Sequence, residues 1–379
     1  MHKYIPNTNE EQRLMMEKIG VLEISDLFSV IPKEIRQSNG LDLPEKLTEQ
    51  ELVSFLGKMA GENRTTDDFI CFLGAGTYDH YIPSVVGAMT SRSEFYTAYT
   101  PYQAEISQGM LQAIFEFQTM VCELTGMEAA NASMYDGASA TAEAFAISLV
   151  SSRNKSNIVV SSSVHPETRE VIRTYMSGRK VEIREVPMKE GETDYAALEE
   201  MCDGSTAAIC IQSPNFLGII ENMDAAGETA HRNDAAFIVN TDLMALAVLK
   251  APGDSAADFV VGDAQPMGNP MAFGGPHLGF FAANAKYMRK MPGRIVGETT
   301  DLRGNRGYVL TLQAREQHIR REKATSNICS NHALNALAAT IYMSTVGKTG
   351  LKDIALRCAN NARYACDGLV GTGKFKKAF

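Results

Sequence analysis

NIVVSS (157–162), PETREVIRTYMS (166–177), KVEIREV (180–186), DYAALEEMC (194–202), AAICIQS (207–213), AAGETAHR (225–232), AAFIVNT (235–241) and ADFVVGD (257–263) follow one another along the middle of the chain. Short apolar, β-rich runs thus alternate with segments of helical character. That alternation predicts an α/β domain around a largely parallel, mixed sheet whose strands are covered on both faces. Ligands of such sheets sit at the carboxyl ends of the strands. The residues just past each strand are therefore candidates for a site: His165, Pro214 with Asn215, Asp242, and Asp263 to Pro266.

Outward from this core, Thr8 with Glu11 and Thr48 with Glu51 have the form of capping boxes. Apolar residues follow each at helical spacing (Leu14, Met15, Ile19; Leu52, Phe55, Leu56, Met59), predicting a helical N-terminal arm over residues 1–65. Between Gln103 and Thr125 a stripe of Ile106, Met110, Ile114, Phe117, Val121 and Leu124 predicts one long core-facing helix. From His332 onward, ALNALAATIYMSTVG and LKDIALRCANNARYACDGL predict two further helices. The expected plan is an arm (1–65), a large α/β domain (66–345) and the start of a smaller C-terminal domain (346–379), with no internal repeat or low-complexity linker.

The chain has 379 residues, 45% of them hydrophobic, and a formal charge of −9 with acidic and basic residues interspersed. Nucleic acid as a main partner calls for a basic face, which this composition lacks. Seven scattered cysteines show no CxxC pair, and seven dispersed histidines show no HxH or HExxH spacing, so no metal site is expected and the thiols read as free and mostly buried. No stretch approaches 18 uninterrupted apolar residues, and MHKYIPNTNEEQ lacks the basic-then-apolar form of a leader, so a cytoplasmic protein without a membrane segment is expected.

Three motif-like runs stand outside the alternation. SRSEFYTAYTPYQAEISQG (91–109) sets Phe95, Tyr96, Tyr99 and Tyr102 around Pro101 with no clean period, which predicts an ordered loop presenting phenols, either for function or as satisfied core tyrosines. FLGAGTYDHYIP (72–83) and REQHIRREKATSNICSNHAL (315–334) are the other two. Within the last, QHIRREK (317–323) reads either as a solvated helix face or as a basic surface for an acidic partner or a phosphate. YDGASATAEA (135–144) is a small-residue turn entering a helix, either a phosphate cradle or a close approach of helix to sheet.

Together these runs resemble the first half of the glycine decarboxylase P-protein family, over essentially the whole chain. The resemblance implies an aminotransferase-like fold of the fold type I pyridoxal-phosphate enzymes, and a place in the glycine cleavage system with glycine as substrate. Such a protein must supply a lysine to anchor the cofactor, an acid on the pyridine nitrogen, a ring stacked on the cofactor and amides at a helix N-terminus for the phosphate. His165 and Asp242 stand at the stacking and pyridine-acid positions, as vestiges; taken alone, either also reads as a surface or capping residue. The lysine is missing: in GDAQPMGNPMAFGGPHLGFF (262–281) the family's spacing back from Gly274-Gly275-Pro276 lands on Gln265, and Lys250, Lys286 and Lys290 are not placed to substitute.

In the family the lysine belongs to the second half, which can be a separate subunit 2. The resemblance thus implies a lysine-less subunit 1, catalytically incomplete in cis, that completes the site of its partner. His80, Tyr96, Tyr99, Tyr102 and Gln103 are implied at the substrate pocket, and Lys323, Thr325, Ser326 and Asn327 as cofactor-binding groups across the interface. Lipoylated H-protein is the implied acceptor, and a structural or regulatory partner is the alternative reading. Two departures stand out: Ala104 replaces the family's proline, and the family continues past GKFKKAF into a small domain, which this chain is expected to hold only in truncated form.

Overall fold

Each of the five apolar runs becomes a strand, and each helical run between them a helix. The computed structural model describes residues 7–37, 40–72, 74–152, 154–329 and 331–379, so residues 1–6 of the expected arm lie outside it. In chain order, β2 (Asn157–Ser161), α7 (Pro166–Met176), β3 (Glu182–Val186), α8 (Tyr195–Met201), β6 (Thr206–Gln212), α9 (Met223–Arg232), β7 (Ala236–Asn240) and β8 (Phe259–Asp263) trace the expected alternation. A small hairpin of β4 (Met188–Lys189) and β5 (Glu192–Thr193) interrupts it. Ahead of β2 come α3 (Ser84–Thr90), α4 (Ser93–Tyr96), α5 (Gln108–Thr125), β1 (Ala129–Ala130) and α6 (Gly137–Ser151). After β8 come β9 (Gly279–Ala283), the ribbon β10 (Ile295–Thr300) with β11 (Arg306–Thr311), α10 (Gln317–Arg320) and α11 (Ala333–Gly371).

The main sheet has the order β1-β9-β8-β7-β6-β2-β3. Pairing is parallel from β8 through β3, while β9 runs antiparallel to both β8 and β1. Burial explains the composition: Ile158, Ile209, Ile238 and Val260 are fully buried, as a sheet covered on both faces requires. One face packs under α5, α9 and α11 through Phe117, Val121, Phe237 and Tyr342. The other packs under α6 and α7 through Phe145, Ile172 and Phe281.

Two compact units divide the chain, Met1–Phe72 and Leu73–Phe379. The first holds α1 (Asn9–Ile19) and α2 (Glu49–Ala60), and both capping boxes form: Thr8 and Thr48 accept from the Glu11 and Glu51 amides while those carboxylates reach back. Neither helix buries a residue; Leu14, Met15, Leu52 and Phe55 all stay exposed.

In the second unit the long helix starts at Gln108, five residues after the expected Gln103, because Ala104–Ile106 winds as a tight 3-10 turn and leaves Ile106 exposed. Ile114, Phe117 and Val121 of the stripe are buried. The two C-terminal helices join as α11, interrupted at Gly347, whose φ of 63° and ψ of −178° are not helical. The thiols are free, but only Cys202 and Cys210 are buried; Cys71 and Cys358 are exposed because the first unit and the outer side of α11 offer no core to enter.

Candidate functional site at the carboxyl ends of the strands

The after-strand residues converge. A cleft of about 860 Å³ is lined by His165 after β2, Pro214 and Asn215 after β6, Asp242 after β7, Asp263 ending β8, and Asp136 and Gly137 where α6 begins. Gly137 is needed here: a Cβ would lie 2.8 Å from the Asp263 nitrogen and from the Gly262 carbonyl carbon. The small-residue turn therefore lets α6 press onto the end of β8.

The start of α6 is already supplied with anions. The Asp136 carboxylate accepts from the Ser139 amide at 2.7 Å, and Asp263 Oδ2 accepts from the Gly137 amide at 3.2 Å. His277 donates from Nδ1 to the same Asp263 oxygen at 3.0 Å, a bond that raises the imidazole's pKa. Burial, with the Asp263 charge adding to it, pushes the Asp242 carboxyl up to about 6, although Oδ1 accepts from the Met244 amide at 2.8 Å.

A backbone strap crosses the cleft. Gly74, Ala75 and Gly76 all have positive φ (58°, 67° and 102°), which turns the chain so that Ala75 to Tyr78 line the cavity. A Cβ on Gly76 would come within 3.3 Å of His165 Nε2. His165 Nδ1 accepts from the Glu167 amide, capping α7, so Nε2 carries the proton and donates to Ala75 O at 2.9 Å. Gln265 is 1% exposed. Its Oε1 accepts from Tyr78 N at 3.0 Å, and its Nε2 donates to Tyr78 O at 3.0 Å and to Asn269 O at 2.7 Å.

Pyridoxal phosphate, which the resemblance implies, does not fit these residues. No lysine lines the cleft among the described residues. Lys250 pairs with Asp224, Lys286 with Asp258, and Lys290 with Ser151. The amides a phosphate would need are taken by two carboxylates, whose charge opposes a second anion. The ring expected to stack on the cofactor is instead tied to the strap.

The remaining expected residues lie elsewhere in the second unit. Tyr96, Tyr99, Tyr102 and Gln103 are exposed, as are Lys323, Thr325 and Asn327, while Ser326 and His80 are partly buried; none of them lines the cleft. The tyrosine run is a loop, as expected, apart from the single turn of α4, the 3-10 turn at Ala104–Ile106 and the start of α5 at Gln108. Two side chains that no spacing signalled support these loops. Arg294, 2% exposed, ion-pairs with Glu316 and donates to the Tyr102 hydroxyl at 2.9 Å and to Cys329 Sγ at 3.2 Å, so it ties the 91–109 loop to the 315–334 run. Glu143 of α6, 3% exposed, is pushed up to about 7 by burial against a hydrogen bond from Ser326. The Pro292-Gly293 turn and the otherwise small-residue first half of α6 are the sequence marks of the two.

Sequence and fold both have counterparts among known proteins. The family model for the glycine cleavage system P-protein matches residues 2–378. The probable glycine dehydrogenase (decarboxylating) subunit 1 of Carboxydothermus hydrogenoformans is 54% identical over 371 residues, covering 98% of this chain and 83% of that protein. Its counterpart in Bacillus pumilus is 54% identical over 364 residues, 96% of this chain and 81% of that one. A crystal structure of inhibitor-bound glycine decarboxylase (P-protein) superimposes with a TM-score of 0.85 at 45% identity, over 93% of this chain and 78% of that chain. The glutamate decarboxylase of Lactobacillus brevis shares only the fold, with a TM-score of 0.64 at 12% identity over 91% and 78% of the two chains. The sheet order, the cleft at its carboxyl edge and a match running nearly end to end lead to one assignment: the chain belongs to the glycine cleavage system P-protein family.

Proposed function

We propose that this chain is subunit 1 of a glycine decarboxylase, which with a subunit 2 decarboxylates glycine and passes the aminomethyl group to the lipoyl arm of H-protein in the cytoplasm. The observation that carries the reading is Gln265: the anchor position holds a buried amide with every hydrogen bond spent on backbone. A chain of this family whose anchor position is so engaged contributes to catalysis through what it exposes. Pyridoxal phosphate, held on the lysine of subunit 2, would supply the electron sink for decarboxylation.

This chain's exposed loops then have definite tasks. The hydroxyl of Thr325, with Lys323 and Asn327 beside it, binds the phosphate of the partner's site. Tyr96, Tyr99, Gln103 and His80 wall the substrate pocket, excluding water and orienting glycine's carboxylate for loss as carbon dioxide. No helix among the described residues is long and apolar enough to cross a membrane.

The alternative, a scaffold that contributes no groups, draws support from Tyr102 and Ser326, whose hydroxyls are engaged with Arg294 and Glu143. Reconstitution with subunit 2 and lipoylated H-protein separates the two readings. Thr325→Ala is expected to weaken cofactor retention roughly ten- to a hundredfold, the worth of a charge-assisted hydrogen bond, with assembly intact. Full turnover and retention in both Thr325→Ala and Tyr96→Ala would establish the scaffold instead.

A further inference from the structure

Three side chains at the carboxyl edge of the sheet bond the four-residue segment Ala75–Tyr78. His165 bonds Ala75 O at 2.9 Å, His277 Nε2 lies 3.2 Å from Thr77 Oγ1, and Gln265 brackets Tyr78 from both its N–H and its C=O. Residues 74–83 form no helix or strand of their own. Side-chain bonds from the sheet's carboxyl edge therefore fix this segment, in place of a backbone ladder. The Gln265 amide has both donors and its acceptor used, so it acts as a rigid two-point clamp.

His80 follows two residues beyond the clamped Tyr78. It is partly buried, which lowers its pKa against the opposing pull of Asp79, and it does not line this chain's own cleft. Two residues of extended chain reach at most about 7 Å, so His80 inherits any displacement of Tyr78 almost undamped. Misplacing a group by about 1 Å can cost on the order of a hundredfold in rate.

We propose that His165, Gln265 and His277 are positioning residues that hold the Ala75–Tyr78 strap across the cleft and thereby set His80 at the active site this chain completes on subunit 2. The positions that would serve a cofactor serve a piece of the chain's own backbone instead. This rests on the subunit 1 reading above.

The test uses the complex reconstituted with subunit 2 and H-protein. Gln265→Met removes all three amide bonds; it is expected to lower kcat by about ten- to a hundredfold with KM changed less than about threefold. Sedimentation should show the complex intact, and hydrogen exchange at the Tyr78 and Asp79 amides should accelerate. His80→Asn should cause a loss of similar size. Combining the two should cost no more than the worse single variant, because both act on one group. Multiplying losses, or unchanged turnover in Gln265→Met, would overturn the proposal. Should Gln265→Met fail to fold, Thr77→Val removes only the bond to His277. A smaller loss that is again not multiplied by His80→Asn supports the clamp, and independent losses refute it. A parent chain that adds nothing to the turnover of subunit 2 refutes the subunit reading itself, whereas an active complex with independent losses refutes the clamp alone.

Discussion

Asp242 and Glu143 are carboxyls that burial holds up, at about 6 and about 7. A carboxyl whose folded pKa exceeds its unfolded value stabilises the fold while it keeps its proton, and that stability drains as pH rises through the folded pKa. Asp242 therefore costs stability progressively from about pH 4 to 6 and Glu143 from about 4.5 to 7. Asp242→Asn, which can still accept from Met244, and Glu143→Gln are each expected to stabilise the isolated chain by on the order of 1–3 kcal/mol at pH 8 and by little at pH 4. Denaturant titrations at the two pH values check this; a gain equal at both would mean the carboxyls do not titrate in that range. Arg294 is the opposite case, a buried cation with a committed partner. Arg294→Met leaves Glu316 in a site where its side chain is 10% exposed, without its guanidinium. The expected cost is roughly 3–5 kcal/mol, partly recovered by adding Glu316→Gln. An unfolding midpoint that does not move would show that the buried pair adds no net stability.

Elements were legible where they carried their own signal. The parallel strands announced themselves as apolar runs alternating with helical ones, and the capping boxes marked where α1 and α2 begin. The start of α5 was misplaced because Ile106 has the spacing of a core residue but sits on a turn that faces outward. At the site, His165, Asp242 and Gln265 could be named because they follow strands. The strap that binds two of them could not, since Tyr78 and Gln265 are 187 positions apart and nothing in either local sequence points to the other. The break in α11 is a further test at this scale. Gly347 has open space around it, yet its φ and ψ fall in a region nearly closed to other residues. Gly347→Ala should therefore destabilise by about 1–3 kcal/mol rather than stabilise as in a regular helix. Calorimetry that found a higher Tm would mean that the two halves straighten into one helix without loss.

At the scale of the molecule, apolar groups face outward in number. Phe273, on a strained backbone with φ of 53°, is 93% exposed, and Tyr99 is 84% exposed. Where such groups adjoin, they mark association surfaces. The isolated chain is expected to brighten an apolar dye, the signal falling as subunit 2 is titrated in, with Phe273→Ser lowering the starting value. A signal indifferent to subunit 2 would place the partner surface elsewhere. The commitment of Gln265 has a bearing on how two halves of a duplicated enzyme drift apart. Gln265→Lys would have to strip Tyr78 and Asn269 of their partners before its amine gained anything to react with, and would face Asp136 and Asp263 where a phosphate must dock. On the subunit 1 reading the strap therefore makes the missing anchor a ratchet: no single substitution turns it back.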